Sequence, residues 1–313
     1  MERYVVLEKE IGETPLSTAE RFRATRPELT GIPLSYAGRL DPMASGKLIV
    51  LIGEECKKQT EYHDLDKEYE FSVLFGIGSD TGDVLGRLQA TLGALFAEGF
   101  IGMAGEPVWE TGARPFEEDS TDGRIYPKGV QPRYEEANSA PGVADRLTDI
   151  VDSLVGDLTF PYPLFSAKTV NGKPLHMWTL EGRLSEIEIP IRTSIIHELE
   201  LTKIEAKPRQ EIAASALQKI NTIPEVTDPR KALGNDFRRK DVRADWQDVA
   251  TDYSLPPIYT IAHFRCIASS GAYMRTLAEL IAKEVGTTGL AWHIHRTKIG
   301  QYNPANQAWS SEY

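Results

Sequence analysis

A mixed fold of strands and helices is what this 313-residue sequence predicts. Three observations carry that reading: period-2 or unbroken apolar runs, separate runs with apolar residues at helical spacing, and long polar stretches between them. The start, Met1 to Lys9, reads as a first strand. Lys47 to Gly53 is apolar without alternation, the pattern of a buried strand or short helix covered on both faces. Glu68 to Gly76 alternates at its start and reads as a strand, followed by a loop to Gly86. Residues 104–144 are rich in Pro, Gly, Glu, Asp and Asn without a period, and are expected to form a partly disordered surface insertion. Leu147, Ile150, Val151, Leu154 and Val155 give a helix over 145–158, ended near Gly156. Residues 206–257 read as a second polar insertion with one short helix, Gln210 to Ile220. Order returns with a strand over Ile258 to Ala268, an amphipathic helix over Tyr273 to Val285 ended by Gly286, and another strand within 290–302.

Composition excludes several classes. At 41% hydrophobic residues a substantial core is available, and no stretch reaches the 18 or more uncharged apolar residues of a membrane span. The start lacks the apolar region of a signal peptide, so export is not expected. Two cysteines, Cys56 and Cys266, have neither the count of a disulfide framework nor metal-ligand spacing, which suits a reducing cytoplasm. The net charge of −11 would repel a phosphate backbone if it were spread evenly. It is not: residues 90–153 carry twelve acidic and five basic side chains, whereas residues 261–313 carry five basic against three acidic. Local patches steer a polyanion, so a nucleic-acid partner stays open. Arg230, Lys231, Arg238, Arg239, Lys240 and Arg243 form a basic cluster that tracks phosphates or is simply a solvated loop.

The most informative stretch is Gly38-Arg39-Leu40-Asp41-Pro42-Met43-Ala44-Ser45-Gly46. Pro42 fixes its own φ and biases Asp41 away from helical geometry, while the glycines let the backbone approach a ligand. The loop therefore aims Asp41, unless that carboxylate only caps the next segment or closes an Asx turn. The whole string, followed by an apolar run ending in Gly53-Glu54, closely resembles the catalytic motif of the TruB-type pseudouridine synthases, which isomerise a uridine in the T loop of tRNA. The resemblance implies that Asp41 is the catalytic residue.

Three further segments carry it. In Asp66-Lys67-Glu68-Tyr69, which alone would be an edge strand, the resemblance implies that Tyr69 stacks on the flipped uracil. Gly76 to Asp83 lacks the lysine and spacing of a P-loop and is similar to the family's Gly-x-x-Thr-Asp-Thr-x-Asp turn, with a divalent-metal pair at Asp80 and Asp83 as the alternative. Pro161 to Lys173 is similar to another family segment, with Phe165 where tyrosine is usual and Thr169 where lysine is usual. Cys266 to Leu280 resembles a strand that turns directly into a helix. Arg275 falls in the first turn of that helix, where a cation is disfavoured unless a carboxylate stands near. The resemblance supplies one, Asp41.

Partial matches extend the list. Lys9 is kept from the family's first motif, Tyr36 stands where a histidine is usual, and Ile294 is the apolar wall of the pocket, with His295 replacing one arginine and Arg296 keeping the next. Lys9, Tyr36, Gly38, Arg39, Leu40, Ser166, Lys173, Ile294 and Arg296 are thus expected to contact substrate, and Asp41, Tyr69 and Arg275 to be catalytic. The architecture implied is the α+β pseudouridine synthase fold, a mixed and largely antiparallel sheet with flanking helices. It would occupy residues 1–302, with insertions at about 90–146 and 206–257, a tail at 303–313 and no C-terminal PUA domain. No cofactor and no metal are expected; the partner is tRNA, with no membrane and no obligate protein partner, in the cytoplasm. A non-catalytic RNA-binding or tRNA-folding protein of the same fold, and a guide-RNA-dependent synthase, are the alternatives.

Overall fold

Alternating and unbroken apolar runs build one nine-stranded sheet. Its strands are β1 (Tyr4–Lys9), β2 (Leu34–Ala37), β3 (Ser45–Ile52), β4 (Asp66–Phe75), β5 (Gly156–Pro161), β6 (Ile191–Pro208), β7 (Ile258–Ala268), β8 (Gly289–Asn303) and β9 (Ala308–Glu312). The computed structural model describes residues 2–90, 141–226 and 236–313, with two short strands, Phe116–Glu118 and Ile125–Pro127, between the first two blocks. The expected acidic insertion therefore lies almost wholly outside the described residues, as do Arg230 and Lys231.

The strand order is β1-β3-β8-β4-β7-β6-β5, with β2 also on β3 and β9 also on β8. Among these pairs, β3 and β8 run parallel, Ser45 and Gly46 lying opposite His295 and Arg296, and the others run antiparallel. Why Lys47 to Ile52 lacks alternation is now plain. Leu48 and Val50 join Ala19 of helix α1 (Pro15–Ala24) in one small cluster, while Ile49 and Leu51 join Tyr62, Leu65 and Ile299 in another. Both faces of β3 are covered, so both need apolar side chains. Helix α1 starts where its sequence says it should: Thr14 caps it, exchanging hydrogen bonds with Ser17, and Pro15 follows.

The main core lies on the face of β4 that carries Tyr69, Phe71 and Val73. Phe71 stacks on Phe264 of β7 with ring centroids 5.2 Å apart, and Ile294 of β8 is its neighbour on the other side. Helices α3 (Pro141–Ser153), α5 (Arg209–Thr222), α6 (Arg239–Thr251) and α7 (Met274–Val285) complete that core, α2 (Gln59–His63) and α4 (Leu175–Leu180) being short connectors.

Three expectations are revised. Residues 206–257 are not simply polar: β6 runs to Pro208, and α5 and α6 bury Ile212, Ala213, Ala216, Ile220, Val242 and Trp246 completely. Trp246 also donates its indole N–H to Val84 O at 3.1 Å. The helix expected over 145–158 begins at Pro141 and ends at Ser153, because Gly156, at φ 117°, opens β5 instead. The last residues are not a loose tail. They form β9, and the Tyr313 ring packs against Tyr4 and Tyr62 while its carbonyl accepts a hydrogen bond from Lys47 Nζ at 2.8 Å.

Candidate active site

The loop between β2 and β3 sits where β3 meets β8 in parallel. Gly46 closes it with φ 111°, a conformation that L side chains rarely adopt. A Cβ there would stand 2.3 Å from the Arg296 carbonyl oxygen, so only glycine lets β3 and β8 approach this closely. The turn itself is tied by Ala44 N–H donating to Asp41 O at 3.0 Å. From below, Lys9 donates its Nζ to Ala44 O at 2.5 Å and Glu10 O at 3.1 Å, and Gly12 N–H donates to Pro42 O at 2.8 Å. Lys9 is wholly buried, which leaves it no surface to offer a substrate. Its position is that of a prop under the loop. Burial pulls its pKa down to about 8 against the pull of the Asp41 and Glu13 carboxylates.

Arg275, in the first turn of α7, points into the same place. Its Nε donates to Asp41 Oδ2 at 2.8 Å, its Nη2 to Phe165 O at 3.3 Å, and its Nη1 to Thr81 O. The arginine is 4% exposed and the aspartate 37%, so a carboxylate open to solvent is backed by a buried cation. A third group completes the set. Asp83 Oδ2 lies 3.8 Å from Arg275 Nε, while Asp83 Oδ1 accepts from Thr81 Oγ1 at 2.7 Å and Leu85 N–H at 2.9 Å. Burial favours loss of the Arg275 proton, but the Asp41 and Asp83 carboxylates more than offset this and its pKa lies above the ordinary value. Burial likewise pushes Asp83 up, with the Arg275 guanidinium opposing. In the sequence Asp83 is the last residue of the Gly76 to Asp83 turn that is similar to the family's, with a metal pair at Asp80 and Asp83 only as the alternative and no arginine partner assigned. The two carboxylates in fact turn to different arginines, Asp80 to Arg238 and Asp83 to Arg275. Among the described residues no group of three or more His, Cys, Asp or Glu is arranged to hold a metal.

On the other side of Asp41, Tyr69 of β4 lies opposite Arg296 of β8 in the sheet. Tyr69 is 8% exposed and shares the main apolar cluster with Leu40, Met43, Ala44 and Ile294. Burial pushes its phenol up, against the pull of the Arg296 guanidinium, so the hydroxyl keeps its proton at neutral pH. Arg296 is itself buried; its Nε donates to Lys47 O at 2.7 Å and its Nη1 to Arg39 O at 3.5 Å. Lys67, beside it, bonds to His63 O at 2.7 Å and to Leu65 O.

The remaining residues of the expected set divide. Gly38, Arg39 and Leu40 lie in the Asp41 loop, with Arg39 exposed and Leu40 buried. Tyr36 does not face that loop's apolar cluster: it pairs with Val50 and packs on the α1 side of the sheet. Ser166 is buried in a turn, its carbonyl accepting from His176 N–H at 3.2 Å and its hydroxyl from Lys168 N–H at 3.4 Å. Lys173 is turned to helix α4 and its C-terminal cap, 2.5 Å from Glu181 Oε2 and 4.0 Å from the centroid of the Trp178 ring. Of the basic cluster, Arg239 is buried and bonded to Ile223 O, Pro224 O and Asp236, and Arg243 bonds to Asn221 at 2.9 Å. Both guanidiniums are already engaged within the chain.

The chain is similar to several known proteins. A family profile described as TruB family pseudouridylate synthase (N terminal domain) matches residues 32–97, which include the Asp41 loop, Tyr69 and Asp83. The tRNA pseudouridine synthase B of Caldicellulosiruptor saccharolyticus is 23% identical over 290 residues, covering 88% of this chain and 82% of that protein. Its namesake from Aromatoleum aromaticum is 24% identical over 288 residues, covering 92% and 61%. That from Bordetella pertussis is 25% identical over 231 residues, 74% of each chain. The chain therefore spans from under two thirds to about four fifths of the length of these relatives. Among solved structures, a Cbf5-Nop10-Gar1 complex aligns over 95% of this chain and 49% of its own, with a TM-score of 0.45 and 14% identity. Residues 32–97 thus match the TruB family of pseudouridylate synthases, and the chain is similar over most of its length to proteins named tRNA pseudouridine synthase B.

Proposed function

We propose that the chain converts a uridine in the T loop of tRNA to pseudouridine, with Asp41 as the reacting carboxylate. The observation that carries this reading is the Asp41 carboxylate, partly open to solvent and held at 2.8 Å by a buried arginine. The reaction breaks the C1′–N1 bond, turns the detached uracil and joins C1′ to C5; the C5 proton then leaves and N1 gains one, so nothing is oxidised or hydrolysed. Asp41 serves either by attacking C1′ or by taking a proton from the ribose to give a glycal, and the Arg275 guanidinium holds its carboxylate in place. Asp83 is a positioning residue: with Oδ1 bonded to Thr81 and Leu85, its second oxygen faces Arg275 and biases the guanidinium's place.

A uracil folded into a tRNA loop must be extruded to reach these atoms. Tyr69 would stack on it, which requires the side chains around its nearly buried ring to give way as the base enters. The relatives' names supply tRNA as substrate. Incubating the purified chain alone with an unmodified tRNA transcript and mapping pseudouridine tests the reading. One modified T-loop uridine is expected; tight binding without product would instead support an RNA-binding protein of the same fold.

A further inference from the structure

We infer that Arg238 is a positioning residue of the active site, carried in by the 206–257 segment to clamp the two loops that hold Arg275. The inference rests on Asp41 and Arg275 acting as proposed. Arg275 reaches its place by donating to two carbonyls, Thr81 O and Phe165 O, that belong to loops far apart in the chain. One guanidinium holds both loops by their backbones. A second holds the same two loops by their side chains. Arg238 Nη1 and Nη2 both bond to the carboxylate of Asp80, the residue before Thr81, the Nη2 contact being 3.2 Å. Its Cζ lies 4.7 Å from the centroid of the Phe165 ring. The pair is 20% and 23% exposed, partly shielded from water and bidentate, so it is stronger than a typical surface ion pair. Asp80 is fixed from behind as well, accepting Arg87 N–H at 2.9 Å.

The backbone that delivers Arg238 is unusual. Asp236, Phe237 and Arg238 have φ values of 42°, 50° and 63°, three successive non-glycine residues in the left-handed region. Such strain persists only where the surroundings over-determine it. Here Arg239 bonds to Ile223 O, Pro224 O and Asp236, and Asp236 Oδ1 accepts Val226 N–H at 2.8 Å. Anchoring α6 to the body does not account for Arg238, because other contacts already do so: Trp246 to Val84 O, and Asp245 to Arg87 through hydrogen bonds of 2.7 and 3.1 Å. What Arg238 adds is a fixed spacing between Asp80 and Phe165, hence between the two carbonyls that aim Arg275.

Steady-state kinetics on a tRNA transcript separate this from a structural or RNA-binding role. Arg238→Ala is expected to lower kcat on the order of 10- to 100-fold, since small misplacements of a catalytic pair have effects of that size. KM for tRNA should stay within about twofold, because the lost interaction acts on the reacting geometry rather than on uniform binding. Asp80→Asn should give a similar loss, the double variant should be no slower than the worse single, and Arg238→Lys should recover part of the rate. Should Arg238→Ala not fold, Phe165→Leu reads the other half of the clamp by the same fall in kcat. An unchanged kcat, independent additive losses, or a rise in KM alone would overturn the clamp while leaving the catalytic pair standing. A wild type that makes no pseudouridine would overturn the catalytic pair and the clamp with it.

Discussion

Arg275 is nearly inaccessible to water yet carries its charge, because Asp41 and two carbonyls accept from its donors and a second carboxylate, Asp83, stands 3.8 Å from its Nε. Asp83 is the member of that set whose charge serves position only. Asp83→Asn keeps the shape and the acceptor for Thr81 but removes a charge from beside the arginine. Its single-turnover rate should fall on the order of tenfold or more, with tRNA affinity unchanged in a binding titration; equal losses in affinity and rate would contradict that assignment. Lys67 makes a different prediction. Burial, with Arg296 adding to it, lowers this amine from 10.5 to about 7. The unfolded chain holds the proton up to about 10.5 and the folded chain only below about 7, so in that window unfolding takes up a proton and stability rises with pH. As pH falls from 10 to 7 the wild type should lose stability, and below 7 the loss is complete. Lys67→Met should flatten that slope without abolishing it, since Lys9 titrates in part of the same window. Parallel denaturant midpoints for the two proteins across pH 7 to 10 would rule the effect out.

At the scale of elements, α6 is the piece whose docking was hardest to read. Val242, Trp246 and Val249 stand at helical spacing, but Arg239, Lys240, Asp241, Arg243, Asp245 and Asp248 surround them, and the segment looks polar as a whole. Trp246 is 0% exposed, so Trp246→Ala should lower the unfolding free energy by about 3–5 kcal/mol, cavity included; a change under about 1 kcal/mol would mean that α6 is not docked as described. Helix α7 was legible for the opposite reason. Its apolar stripe is clean, it starts after extended Tyr273, and Gly286 ends it at φ 94° in the left-handed conformation. A cation in a helix's first turn asks for a nearby anion, and it is the family resemblance that implies Asp41 as that partner of Arg275. Lys9 and Arg238 could not be placed that way. One depends on the loop above it and the other on two loops meeting, and neither meeting leaves a local pattern.

Across the whole molecule, the acidic total of −11 coexists with a site flanked by buried Lys9, Lys67, Arg275 and Arg296. Of these four, Arg275 alone bonds to a carboxylate; the others are held by backbone carbonyls. The sheet brings the groups together by one parallel joint in an otherwise antiparallel array, where Gly46 passes under Arg296 and hands the chain from the Asp41 loop into β3. Asp41, Asp83, Phe165 and Arg275 meet there from four separate segments, so the site exists only in the assembled fold. The central claim is that this assembly presents Asp41 as the reacting carboxylate, and Asp41→Asn tests it most directly. Pseudouridine formation in a tRNA transcript should fall below detection under single-turnover conditions while tRNA affinity and thermal stability stay near wild type. Product formation at the wild-type rate by that variant would contradict the account.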